Sequence, residues 1–183
     1  MHMDGVKDQT DVSAQWEQRS ADLWASFDTR GEEEFLARIE ELVAELPPDH
    51  PVALFERACS LDSTGHSGRA APLYQQALDA GLAGMRRRRA VVQMASSLRN
   101  IGRAQESVAL LRAERDIDPA TLDEPTRALA DAVMATLALA LADTGHEREA
   151  VSVALTALAP HLVRYQRSMA NYARLLMEPE PPR

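Results

Sequence analysis

The chain has 183 residues, 28 Asp plus Glu against 20 Lys plus Arg, 45% hydrophobic residues and 4% aromatics, enough for one domain and too acidic overall to suggest a free nucleic-acid binder. Its 31 alanines and eight glycines favour helix, and the scarcity of aromatics argues against strands, so an all-α fold is expected. A single cysteine, Cys59, excludes an intramolecular disulfide and a multi-cysteine zinc site, and no stretch approaches the roughly 20 uncharged apolar residues of a membrane span.

The leading residues 1–11 read as a flexible acidic segment without the apolar run of a secretory signal, which makes a cytoplasmic protein the expectation. The charge is uneven. Residues 1–50 hold 13 acids and four bases, a net of −9, and the remaining residues hold 15 acids and 16 bases, a net of +1. Such a split marks an acidic segment that binds elsewhere, a cap on a basic neighbour, or a solvated acidic helix face.

Apolar periodicity predicts a first hairpin at 12–28 and 32–46, with Trp16, Leu23, Trp24 and Phe27 facing Phe35, Leu36, Ile39, Leu42 and Val43 across Gly31. This hairpin, 12–48, reads as a degenerate repeat. Pro47-Pro48 ends it, and Asp49 is expected to cap the next helix ahead of Pro51. Further helices are predicted at 51–63, 68–80, 85–100, 104–116, 123–143, 147–159 and 161–177, the last as a terminal cap, with a disordered tail at 178–183. Thr121-Leu122-Asp123-Glu124 fits a capping box for the long helix at 123–143.

Three stretches align on a glycine. Leu54, Ala58 and Leu61 precede Gly65, with Ala70, Tyr74 and Ala77 after it. Val91, Ala95 and Leu98 precede Gly102, and Met134, Ala138 and Leu141 precede Gly145, the latter followed by Ala150, Ala154 and Ala157. Each unit is an apolar stripe with a small residue at a helix crossing, a glycine for the left-handed turn, and a second apolar helix. In the middle unit Ser107 and Glu114 stand where the second helix should carry alanines.

This pattern resembles the tetratricopeptide repeat, a helix-turn-helix unit of about 34 residues. More narrowly, residues 51–160 are similar to small bacterial single-domain tetratricopeptide-repeat proteins. The segments that carry this likeness include Leu61-Asp62-Ser63-Thr64-Gly65, Pro72-Leu73-Tyr74-Gln75-Gln76-Ala77-Leu78 and Leu139-Ala140-Leu141-Ala142-Asp143-Thr144-Gly145. The resemblance implies a right-handed solenoid of antiparallel helix pairs over 12–177, with repeats at 51–80, 85–119 and 123–159. It also implies a non-enzymatic protein-interaction role.

The chemistry of the side chains agrees with that role. His66 and His146 follow turn glycines and have no partner ligand at metal spacing, Cys59 lacks an evident base, and Glu32-Glu33-Glu34 sits where acids favour a helix N-terminus. No phosphate loop or dinucleotide fingerprint occurs, so neither a cofactor nor a metal is expected. Arg86-Arg87-Arg88-Arg89 opens a helix against its macrodipole. It reads as a solvated run, as an anchor for an acidic peptide or for the acidic leading segment, or, least in keeping with the net charge, as a nucleic-acid contact.

In such a solenoid the first helix of each repeat lines a concave groove. The groove residues expected here are Phe55 and Cys59; then Arg89, Val92, Ser96, Arg99 and Asn100; then Ala135, Leu139 and Ala142. They suit a protein or peptide partner with an acidic group between apolar anchors, with neither nucleic acid nor membrane expected. A homodimer whose groove or cap face is filled by its own second copy is the alternative. Relatives that grip chaperone C-termini use Lys and Asn where Phe55 and Cys59 stand, so that clamp is not implied.

Overall fold

The structure, a computed structural model, describes residues 12–178. The acidic segment 1–11 and tail residues 179–183 lie outside the described residues. Within them the helices are α1 (Ala14–Ala25), α2 (Glu32–Val43), α3 (Pro51–Ser63), α4 (Ser67–Asp79), α5 (Gly84–Asn100), α6 (Ala104–Arg115), the single turn α7 (Glu124–Arg127), α8 (Ala130–Asp143), α9 (Glu147–Leu158) and α10 (Gln166–Leu175), with no strand among the described residues. The chain divides into two compact units at Ala90 and Val91, inside α5.

In the first unit, Ser13 caps α1 by accepting from the Trp16 amide at 3.2 Å. Helix α3 starts at Pro51, and its cap is His50, whose Nδ1 accepts from the Val52 amide at 3.3 Å, rather than the expected Asp49. A proline at the first position spares an amide that would have no partner, and the ring nitrogen satisfies the next one. The core joins Phe35, Ile39 and Val43 of α2 to Val52, Phe55 and Ala58 of α3 and to Ala70, Tyr74 and Ala77 of α4, all essentially buried. Trp24 and Phe27 meet Phe35 edge-on at 5.1 and 4.8 Å between centroids. The Trp16 indole donates to the Leu42 carbonyl at 3.1 Å, so α1 is fastened to α2 at both ends.

In the second unit, Ala95 from the later half of α5 packs with Val108 and Leu111 of α6, Val133, Leu137 and Leu141 of α8, and Ala150 and Val153 of α9. Ser107 and Glu114 are buried on α6, at the positions where the repeat pattern expects alanines. Helix α10 joins α9 through Ala173, whose carbonyl accepts from Ser152 Oγ at 2.7 Å.

Two helices differ from expectation. The stretch 123–143 is broken at Ala128 and Leu129, where the Leu129 amide bonds to the Thr126 carbonyl three residues back. Its cap is Asp123, which accepts from the Thr126 amide at 2.9 Å and is thereby held below the usual carboxylate range, while Thr121 lies in a separate 3-10 turn, Pro119–Thr121. This 20-residue stretch, Glu124–Asp143, reaches a mean hydropathy of 1.3, nearer to membrane-span character than the sequence reading allowed. Its apolar residues Val133, Leu137, Ala140 and Leu141 are spent on the core of the second unit. The last helix begins at Gln166, not 161, because Tyr165 takes the left-handed conformation at φ +69° and the residues Ala159–His161 form a 3-10 turn running on from α9.

The three aligned glycines close their first helices in one way. At Gly65, φ is +85°, its amide donates to the Asp62 carbonyl at 3.0 Å, and the His66 amide reaches back to Leu61 at 2.8 Å. Gly102 and Gly145 repeat both bonds with Leu98, Arg99, Leu141 and Ala142 as acceptors. This left-handed cap satisfies carbonyls that the helix leaves unpaired. Nothing lies within 4 Å of a Cβ built at Gly65, so only its backbone conformation resists a side chain. Gly65→Ala is therefore expected to lower unfolding free energy by about 1–2 kcal/mol in denaturant titration, and an unchanged midpoint would refute the cap argument.

Candidate partner-binding surfaces

Helix α3 is buried on nearly every side, and this overturns two expected groove positions. Phe55 and Cys59 are 0% and 1% exposed, so neither offers a surface to a partner. The Phe55 ring packs toward Tyr74 of α4 at 6.2 Å, and the Arg89 guanidinium covers it at 5.2 Å. Burial pushes the Cys59 thiol up to about 12 and also raises the Tyr74 phenol, leaving Cys59 protonated and unreactive at neutral pH.

Glu56 of α3 is buried as well, and it carries an ionisable group into that interior. Its side chain is 5% exposed; one oxygen accepts from the Trp24 indole at 2.7 Å and the other lies 3.8 Å from Arg86 Nε. Burial raises the Glu56 carboxyl above the usual range, opposed by the Trp24 hydrogen bond and by the charges of Arg86 and Arg89. Arg86 forks onto Glu17 of α1, donating at 2.8 and 2.5 Å to the two carboxylate oxygens, which raises its already high pKa. One member of the arginine run, Arg86, thus pairs with one acid of the leading quarter, Glu17. These side chains, with Ser20, Ala21, Met85 and Arg89, line a cleft of about 440 Å³ within the first unit.

Sequence reasoning missed Glu17, Trp24 and Glu56 as members of this cleft. The available signal was Glu56 itself. An acid inside the otherwise apolar Pro51–Leu61 stretch has to find a buried partner, because an unpaired buried charge is strongly disfavoured.

The other expected positions fall in the second unit apart from Arg89, which is half-buried. Val92 and Ser96 are half-buried, and Val92 packs against the core cluster. Arg99 donates to Asp143 at 2.6 Å, and Asn100 is exposed. Ala135, Leu139 and Ala142 form an exposed stripe on α8, with Leu139 53% exposed. His66 meets Glu32 at 2.6 Å, His146 lies beside Thr144, and no three His, Cys, Asp or Glu side chains converge as a metal site among the described residues.

Paired helices joined by left-handed glycine turns, with small residues at the crossings, define a helical-repeat protein of the helix-turn-helix class. The family model for the tetratrico peptide repeat matches residues 51–176, and the chain belongs to this family. Repeats of this family generally mediate protein-protein interaction. No curated protein and no solved structure matches the chain.

Proposed function

We propose that the chain is a non-enzymatic interaction module that takes a peptide or helix of a partner protein on the open faces of its first helices. The observation that carries this reading is the α8 stripe. Val133, Leu137, Ala140 and Leu141 are buried in the core, yet Ala135, Leu139 and Ala142 remain open at a spacing of four and three residues. An exposed leucine on an apolar stripe offers the anchor contact that a docking helix or peptide uses. Leu139→Glu is expected to reduce capture of a co-purifying partner about tenfold or more while the helical circular dichroism stays unchanged. Undiminished capture would remove α8 from the binding face.

A second reading, a homodimer, is favoured by α10. That helix buries only Ala173, while Tyr172, Leu175 and the following Met177 are 58%, 40% and 55% exposed. A terminal helix with an apolar outer side is an association surface rather than a polar cap. Light scattering would then give about twice the 20.1 kDa chain mass, and a monomer at every concentration would eliminate the dimer.

A further inference from the structure

The cleft of the first unit holds an imbalance that folding does not explain. Arg86 bonds Glu17 through its two terminal nitrogens, while its buried Nε makes no hydrogen bond and lies 3.8 Å from Glu56. Arg89, three residues along the same helix face, lies over the Phe55 ring and donates to no carboxylate among the described residues. A guanidinium has five N–H donors in a planar fork suited to a carboxylate, and stacking on an aromatic face leaves its edge available for one. Beside it the cleft is walled by Trp24 and by Met85, which is 42% exposed. Two cations with unused donors, one of them also held by an exchangeable carboxylate, and an apolar wall lie together in about 440 Å³.

We infer that this cleft receives an acidic side chain of a partner peptide, with an adjacent apolar residue against Trp24 and Met85, and that Glu17 is a built-in competitor for the Arg86 half of the site. This deepens the interaction reading above and rests on it. The charge arithmetic favours an acidic occupant. Glu17 and Glu56 balance Arg86 and Arg89 in number, but Glu17 is bonded to Arg86 and Glu56 to the Trp24 indole, so no carboxylate is bonded to Arg89 and the Arg86 Nε is left unbonded. An incoming carboxylate bonds first to Arg89 and, on displacing Glu17, to Arg86 as well. Glu17 is 39% exposed on its side chain, so its release into water is not obstructed. Helix α1 keeps its attachment meanwhile through Trp16 to Leu42 and through Arg19 to Glu45.

The Trp24 indole N–H, bonded to Glu56 in the floor of the cleft, is a local reporter. Its resonance is separable from that of Trp16, the second tryptophan of the chain, by comparison with Trp24→Phe. The full chain is titrated with the blocked peptide acetyl-Glu-Leu-Glu-Leu-Glu-amide, whose amide end removes any terminal carboxylate, and with the same peptide carrying lysines for glutamates. The acidic peptide is expected to shift the Trp24 resonance saturably and the lysine peptide to leave it in place. Glu17→Gln is expected to tighten the acidic peptide about fivefold, the scale of one half-exposed ion pair, and Arg89→Gln to weaken it about tenfold. Raising the salt concentration weakens it further. Circular dichroism of each variant checks that α1 stays folded, and if Glu17→Gln loses helix, Glu17→Asp with its shorter reach supplies the same test.

A Trp24 resonance unmoved by the acidic peptide in both wild type and Glu17→Gln, equal shifts with the lysine peptide, or an Arg89→Gln titration identical to wild type would each overturn the inference. None of these outcomes touches Leu139 on α8, so the interaction reading and the acidic-peptide site fail separately.

Discussion

Phe55→Ala is expected to lower the unfolding free energy by about 3–5 kcal/mol, read as a shift of the urea midpoint with little change in slope. The ring is fully buried, faces Tyr74 across the α3–α4 hairpin, and is roofed by Arg89. Removing it loses the transfer free energy of the ring and leaves a cavity where the ring faced Tyr74. A residue lining an open groove would behave differently. Its truncation would change stability by about 0.5 kcal/mol or less and act on partner affinity alone. Against a total stability of about 5–15 kcal/mol, the two placements of Phe55 differ by an amount that one denaturation curve resolves. A loss under about 1 kcal/mol would return Phe55 to the surface.

The reason Phe55 and Cys59 read as groove residues lies in what helical periodicity can report. A stripe such as Leu54, Ala58 and Leu61 identifies the core-facing side only when the opposite side is polar. In α3 the residues from Pro51 to Leu61 are buried with the single exception of Arg57, so the helix has no open face for the pattern to mark. A helix apolar on all sides is an interior one, and that rule applied to Pro51–Leu61 would have placed Phe55 correctly. The hairpin turns were readable for the converse reason. A left-handed cap needs glycine whatever surrounds it, so Gly65, Gly102 and Gly145 announce themselves locally, and the bounds of α3, α4 and α6 follow within a residue. The break before α8 carries no such mark, since Ala128 and Leu129 are both good helix formers and the shift to a tighter bond at Thr126 is a tertiary choice.

The Glu17–Arg86 pair spans 69 residues, and only the gross charge split between the leading quarter and the rest hinted at it. The repeat signature fixes how neighbouring helices cross but is silent on which long side chains meet across a cleft. The family match begins at residue 51, so the leading helices that supply Glu17 and Trp24 lie outside it. The cleft is therefore built half from recognisable repeat and half from sequence that no repeat pattern describes.

Arg86→Glu is expected to destabilise the protein by about 2–3 kcal/mol at neutral pH, because it removes the partner of one half-exposed and one buried carboxylate and adds a third. The reciprocal exchange, Glu17→Arg combined with Arg86→Glu, is expected to recover only about 1 kcal/mol. It restores an ion pair of opposite polarity between α1 and α5 but still sets a carboxylate against Glu56, which is 5% exposed and cannot turn to solvent. Full recovery would mean that Glu17 alone matters to Arg86, and no recovery would mean that Glu56 alone does. The pH dependence separates the two contributions further. Burial raises Glu56 in the folded protein, so its proton is bound more tightly there than in the unfolded chain. Its contribution to stability is then fully present below the unfolded pKa and is lost as pH rises through the raised folded value. A third carboxylate pushes that folded value higher, so the deficit of Arg86→Glu against wild type is expected to widen as pH rises from the unfolded glutamate range through the raised folded value. A deficit that stays constant across this range would show that the lost stability comes from the exposed Glu17 contact, with Glu56 already protonated and indifferent to its neighbour.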